Sequence, residues 1–233
     1  MKLEEYASRV IVAFDPPRSA DVDEWLQARV NVLRGRVAGF KVGWPLLLRA
    51  GIDRVYNIFS RLEGLRVLDL KLADIGHVMR LVLEDIVDAF DAVIAHAFVG
   101  VEGALDELSE FLSERGARLI LVYSMSHPGA RATLDTCRDV VDKVVQRVKP
   151  WGLVVPATRP EVIREARGRY PDIVLVSPGV GAQGAEPGSA ICAGADYEII
   201  GRAIAWADDP VLSLRTLAER GVEKLRECIM GKR

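Results

Sequence analysis

Two carboxylates flank a lysine in the segment Leu68-Asp69-Leu70-Lys71-Leu72-Ala73-Asp74-Ile75. Side chains alternate along a strand, so Asp69 and Lys71 share a face, and Asp74 follows in the turn or first turn of the next helix. Two carboxylates beside a lysine favour its ammonium form, which suits it to donate a proton. A Schiff-base lysine needs burial or a cationic neighbour, and the two aspartates outweigh Lys41 as such a neighbour. The same carboxylates repel an anionic group on a substrate, which is a lever for expelling it. The bland reading of this segment is a strand-end ion pair, with Asp74 as the N-cap of a helix from Ile75.

Other polar residues end apolar runs in the same way: Asp15, Lys41, and the pair Gly201-Arg202. The stretch Val176 to Gly184 carries G-x-G-x-x-G at Gly179, Gly181 and Gly184. A dinucleotide fingerprint opens a helix at once and is followed by an acidic residue about 20 positions on. Here Glu186-Pro187-Gly188 delays the helix, so the loop reads with Gly201-Arg202 as a phosphate site. Backbone N–H groups and the Arg202 guanidinium hold the dianion in that reading. In Ser124-Met125-Ser126-His127-Pro128-Gly129 the adjacent serine and histidine diverge, so Ser126 reads as a hydrogen-bonding substrate contact rather than a nucleophile. His96 reads as a satisfied structural histidine, and Trp25, Trp44, Trp151 and Trp206 as packing or rim residues.

These residues need a scaffold that brings strand ends together. Short apolar runs recur at Arg9–Phe14, Val37–Val42, Arg66–Leu70, Ala92–Ala97, Arg118–Tyr123, Gly152–Pro156, Ile173–Ser177 and Tyr197–Ile200. Most are continuously apolar, as expected of parallel strands covered on both faces. Helical patterns separate them at Asp21–Arg34, Pro45–Leu62, Ile75–Phe90, Glu102–Arg115, Ala132–Val148, Pro160–Arg169 and Gly188–Ala193, and a last helix spans Asp209–Met230. Eight strands, each followed by a helix, predict a single (β/α)8 TIM barrel over residues 1–233; a doubly wound sheet needs fewer strands. Chemistry in such a barrel gathers at the C-terminal strand ends, where the charged residues fall.

Composition narrows the classes further. The 31 basic and 33 acidic residues give a net charge of −2, without the basic excess of a general nucleic-acid or anionic-membrane surface. No apolar run approaches the roughly 20 residues of a membrane helix, and no export signal is visible, so a cytoplasmic location is expected. Cys137, Cys192 and Cys228 are far apart and odd in number, which fits a reducing cytoplasm and argues against a Cys₄ zinc site. Three histidines without H-x-H or H-E-x-x-H spacing argue against a histidine metal site.

The assembled motifs resemble the orotidine 5′-phosphate decarboxylase family, in its compact archaeal-type branch. The resemblance runs through Phe14-Asp15, Phe40-Lys41-Val42-Gly43, the D-x-K-x-x-D core from Asp69 to Asp74, Met125 to Gly129, Pro156 to Pro160, Ser177 to Gly184, and Gly201-Arg202. It implies decarboxylation of orotidine 5′-phosphate to UMP in pyrimidine biosynthesis, with neither metal nor organic cofactor. By the same resemblance Lys71 protonates C6 of the pyrimidine, Asp69 sits against the substrate carboxylate, and Lys41 completes an alternating charge array. Asp15 and Lys41 meet the ribose hydroxyls. Ser126 and Pro178 line the pyrimidine pocket, and Gly179, Val180 and Gly181 belong to the loop around the substrate. Gln183, Gly201 and Arg202 grip the 5′-phosphate. Asp74 and Ile75 reach into a partner's site, which implies a homodimer with shared active sites. Relatives commonly carry a hydroxyl four residues after the second aspartate; Val78 stands there, so a ribose contact from that segment falls to Asp74. The D-x-K-x-x-D core is shared with magnesium-dependent 3-keto-L-gulonate 6-phosphate decarboxylases and hexulose-phosphate lyases, which add an acidic ligand near the end of strand two. Lys41-Val42-Gly43-Trp44 has no carboxylate. A barrel that only binds a nucleotide phosphate has no need of Lys71 and its aspartates.

Overall fold

Each of the eight expected strands is present, with ends moved by at most two residues: β1 Val10–Phe14, β2 Gly39–Gly43, β3 Leu65–Leu72, β4 Ala92–His96, β5 Arg118–Val122, β6 Gly152–Val154, β7 Val174–Pro178 and β8 Tyr197–Ile200. They pair in parallel and in chain order, and β8 returns to β1 through Val10↔Glu198, Ile11↔Ile199 and Val12↔Ile200. The barrel is closed. The computed structural model describes residues 2–230, so residues 1 and 231–233 of the expected span lie outside the described residues. Strands β1 and β2 are buried at every position, as their near-continuous apolar composition requires once helices cover the sheet.

The helices are α1 Leu3–Ala7, α2 Val22–Leu33, α3 Trp44–Ala50, α4 Ile52–Phe59, α5 Gly76–Leu83, α6 Asp106–Glu114, α7 Gly129–Ala132, α8 Arg138–Val148, α9 Pro160–Arg169, α10 Ser189–Ala193, α11 Arg202–Ala205 and α12 Pro210–Met230. Several expected helices are shorter or broken. Pro45–Leu62 divides into α3 and α4 at Gly51, whose φ of 82° is left-handed backbone that interrupts a helix. Ile75–Phe90 divides into α5 and a 3₁₀ turn over Val87–Ala89, and Ala132–Val148 is interrupted after Ala132, the last residue of α7, and is helical again from Arg138. Helices α1 and α11, of five and four residues, are too short to show a helical period in sequence. Asp21 caps α2, its side chain accepting from the Glu24 N–H at 3.1 Å.

Two long-range ties fasten the ends of the chain. Glu198 of β8 is fully buried and accepts from the Tyr6 hydroxyl at 2.5 Å and from the Gly188 and Ala190 N–H groups at 3.0 Å each. It thereby joins α1 and the start of α10 to the barrel wall, and burial pushes its carboxyl up despite those donors. Cys192 of α10 and Cys228 of α12 form a disulfide with their Cα atoms 6.1 Å apart. This overturns the reading of three reduced thiols: the pair stand 36 positions apart in sequence, and only the packing of α12 against α10 brings them together. Cys137 is free and exposed.

Candidate active site

Asp15, Lys41, Asp69 and Lys71 line one cleft of about 240 Å³ with Pro178, Gly179, Val180, Gln183, Gly201 and Arg202. Lys41 lies within β2 and Asp69 and Lys71 within β3, while Asp15, Pro178 to Gln183 and Gly201-Arg202 end or follow β1, β7 and β8, so barrel closure brings these segments to one mouth. Ala13, Ala182 and Ile199 complete the wall and carry no polar signal that sequence reading could find.

At the centre is a run of alternating charges. Lys71 Nζ lies 2.8 Å from both Asp69 oxygens, and Lys41 Nζ lies 3.0 Å from Asp69 Oδ2. Lys41 and Asp69 are buried, whereas the Lys71 side chain is 37% exposed and faces the opening. Burial alone would raise the Asp69 carboxyl, but the Lys41 and Lys71 ammoniums outweigh it and hold it below the usual carboxylate range. Burial likewise opposes the Lys41 charge, and Asp69 and Asp15 together push its ammonium up instead. The outcome is a fixed carboxylate between two cations, only one of them accessible.

The route by which Lys71 meets Asp69 differs from regular alternation. Asp69 pairs with Ile94 and Leu72 with Ala95, so Leu70 and Lys71 bulge from the ladder, and Lys71 has a left-handed φ of 46°. Asp74 does not cap the next helix: α5 starts at Gly76 with Ile75 at the cap, and Asp74 Oδ1 accepts from the Ile75 N–H at 2.8 Å. Asp74 and Ile75 are exposed and outside the cleft lining, and Val78 lies half-buried on α5. Within one chain, therefore, the two residues do not join the Lys71 group.

Asp15 is braced from two sides. Arg49 of α3 donates to the carbonyls of Pro16, Pro17, Arg18 and Ala20, ordering the loop after β1. Trp206 donates its indole N–H to the Asp15 carbonyl at 2.7 Å and lies beneath the Arg202 guanidinium, 5.9 Å from ring centroid to Cζ. The loop after β7 closes on itself through Gly181 N–H to Ala185 O at 2.9 Å and Ala185 N–H to Gly179 O at 3.2 Å. Gly179 has φ 118°, and a Cβ there would meet Gln183 Oε1 at 3.3 Å and Thr158 Cγ2 at 3.4 Å, so both backbone and space call for glycine. Gly181, Gln183 and Arg202 are exposed at the rim, open to an anion.

Ser126 is exposed and outside this cleft; its neighbours Met125 and His127 line a second, apolar cleft of about 360 Å³ with His96, Phe98, Leu134 and Cys137. The loop is anchored at Ser124, whose hydroxyl donates to Asp135 at 2.9 Å, while Arg138 and Arg159 hold the same carboxylate at 2.7 and 2.5 Å. His96 is not the satisfied histidine expected: its Nδ1 is buried without a hydrogen-bond partner, and burial, with Lys71 nearby, holds its imidazole below the usual range. Sequence reading also missed Trp44 and Trp206 as donors to the carbonyls of Leu70 and Asp15. The available signal was position: Trp44 directly follows β2, which carries Lys41, and Trp206 follows the short helix α11 that begins with Arg202.

Comparison with known proteins follows the same lines. Residues 8–217 match the family model described as Orotidine 5′-phosphate decarboxylase / HUMPS family. An orotidine 5′-phosphate decarboxylase of Aeropyrum pernix is 54% identical over 97% of this chain and 96% of its own length. The crystal structure of orotidine 5′-monophosphate decarboxylase from Metallosphaera sedula has a TM-score of 0.81 at 45% identity, covering 93% of this chain and 98% of that one. The Methanocaldococcus jannaschii enzyme, solved in complex with the inhibitor BMP, also has a TM-score of 0.81, at 27% identity over 91% of this chain and 97% of its own.

Proposed function

The chain belongs to the orotidine 5′-phosphate decarboxylase / HUMPS family, and we propose that Lys71 is the acid with which it converts orotidine 5′-phosphate to UMP and CO₂. The observation that carries this reading is the Lys41–Asp69–Lys71 array, closed at 3.0 and 2.8 Å within the barrel mouth and opposite a glycine-rich loop and an arginine. The substrate carboxylate is set against Asp69, where like charge opposes it. As the bond from C6 to the carboxylate breaks, CO₂ departs and the electron pair stays on C6. Lys71 then passes an N–H proton to C6, and water reprotonates the amine. Lys41, buried at 8% exposure, holds Asp69 ionised throughout.

Substrate grip is divided between the two ends of the cleft. Asp15 and Lys41 take the ribose hydroxyls. Gln183, Gly201 and Arg202 take the 5′-phosphate, and Pro178, Gly179, Val180 and Gly181 close over the nucleotide. Ser126 reaches the pyrimidine when its loop folds over the cleft. The working unit is a homodimer in which the partner's Asp74 and Ile75 complete each site. Supporting this, both residues are exposed and outside their own chain's cleft, and the neighbouring ends of β2, β3 and β4 present Trp44, Ile75 and Phe98 at 44%, 58% and 57% exposure. Residues 1–233 form one catalytic domain, working in the cytoplasm. Among the described residues no helix is long and apolar enough to cross a membrane, and a cytoplasm that keeps the Cys192–Cys228 bond is of the kind found in hyperthermophiles.

The magnesium-dependent branch of the family fits the residues less well. The end of β2, Lys41-Val42-Gly43-Trp44, offers no carboxylate for its metal, and both oxygens of the nearby Asp69 carboxylate are already taken by the Lys41 and Lys71 ammoniums. Purified protein incubated with orotidine 5′-phosphate in excess EDTA should release CO₂ and convert the orotate absorbance to that of uracil. Absence of turnover, or turnover that EDTA abolishes, would overturn the reading.

A further inference from the structure

Among the described residues, Lys71 shares left-handed backbone with one other non-glycine residue, Lys149, which ends α8. Such a conformation is uphill for a side chain with a Cβ and persists only where the surroundings impose it. The imposing contacts can be traced from the strand pairing. The β2–β3 ladder ends at Gly43↔Asp69, and the β3–β4 ladder passes from Asp69↔Ile94 directly to Leu72↔Ala95. The Leu70 carbonyl thus falls in the bulge, outside both registers. It accepts instead from Trp44 Nε1 at 2.9 Å, and Trp44 is the first residue past β2.

From this geometry we infer that Trp44 is a positioning residue for the proton donor. The Leu70 carbonyl and the Lys71 N–H belong to one rigid peptide plane. Holding that oxygen fixes the plane, and with it the ψ of Leu70 and the φ of Lys71. The indole nitrogen can only donate, so the direction of the bond is set by chemistry, and a phenylalanine of similar body cannot replace it. Trp44 touches no reacting atom; it acts through the backbone that aims the Lys71 ammonium at Asp69. The proposal rests on Lys71 being the acid.

The test is Trp44→Phe, which keeps the aromatic body and deletes the donor, together with a chain carrying 3-benzothienylalanine at position 44, where sulfur replaces the N–H in a ring of nearly the same shape. Loss of one neutral hydrogen bond predicts a fall in kcat of about three- to tenfold. With the variant shown by sedimentation to keep the wild-type assembly, KM and the affinity for UMP should stay at the wild-type values, because the phosphate and ribose contacts are untouched. A role in packing alone would lower the melting temperature and leave kcat of the folded enzyme unchanged; that result, or a loss confined to KM, overturns the inference. The benzothienyl chain decides the matter where phenylalanine folds poorly. Wild-type protein assayed alongside separates the two levels: an inactive wild type overturns the decarboxylase reading, whereas an active wild type with equally active variants overturns only the role of Trp44.

Discussion

Removing Asp69 and removing Lys71 should abolish the same activity while having very unequal consequences for stability. The two residues form one ion pair at 2.8 Å, yet their surroundings differ: Asp69 is 8% exposed, and the Lys71 side chain is 37% exposed. Lys71→Ala leaves the Lys41–Asp69 pair intact and removes a partly solvated contact, of a class that contributes about 0–1 kcal/mol. Asp69→Ala strips the buried Lys41 ammonium of its partner at 3.0 Å and leaves Asp15 as the other carboxylate acting on it. Leaving one member of a buried pair uncompensated costs roughly 3–5 kcal/mol. For a chain of this size that is a melting temperature lower by about 6–20 °C. The pH dependence carries the sign of the effect. In the wild type Asp69 and Asp15 raise Lys41 against burial. With Asp69 gone, burial dominates and the folded-state value falls below the unfolded one, near about 10.4. The native state then binds fewer protons than the unfolded chain, so the stability of Asp69→Ala rises with pH and its deficit shrinks between about pH 7 and 10. Thermal melts of wild type, Asp69→Ala and Lys71→Ala across that range read this directly. Should Asp69→Ala melt with Lys71→Ala at every pH, Lys41 is not the buried, paired cation described here.

Arg202→Ala should weaken UMP binding by about 10- to 150-fold, the loss of a charge-assisted hydrogen bond, and leave uridine binding unchanged. Titration calorimetry of both ligands checks this, and equal losses would place the phosphate elsewhere. Turnover by Lys71→Ala homodimers should fall by about 10²–10⁴-fold. Mixing them with Asp74→Asn homodimers under subunit exchange should restore about a quarter of wild-type activity, because half the dimers then hold one intact site. Exchange shown by mass-tagged chains without recovery would mean that Asp74 acts within its own chain. Cys192→Ser should lose roughly 4 kcal/mol, as expected for releasing a loop of the 36-residue separation, and reduced wild type should melt with it. Coincident melts of oxidised wild type and the variant would show that the bond is not formed in solution.

What the sequence by itself determined was the order of elements and the list of charged strand ends. Parallel strands buried on both faces read as apolar runs, so all eight were visible, and so was the doubly wound alternative's shortage of strands. Asp15, Lys41, Asp69, Lys71 and Arg202 stood out because charged residues near the ends of such runs must sit at one rim once the barrel closes; Gly179 stood out by the glycine-rich pattern, and Gln183 only through the family resemblance. The tertiary structure decided what depends on neighbours distant in the chain. Regular alternation placed Lys71 beside Asp69 for the wrong reason: the bulge at Leu70 arises from pairing with β4, and its carbonyl is met by Trp44, 26 residues earlier. His96 lost its expected partner, and Asp74 its expected cap, because donors and acceptors are assigned only when helices dock and strand ends take their final register. Cys192 and Cys228 gave no pairing signal, since they stand 36 positions apart with a strand between them. Local side-chain period fixes which residues face a sheet or a mouth; hydrogen bonds and cross-links are set by contacts that exist only after β8 has closed on β1.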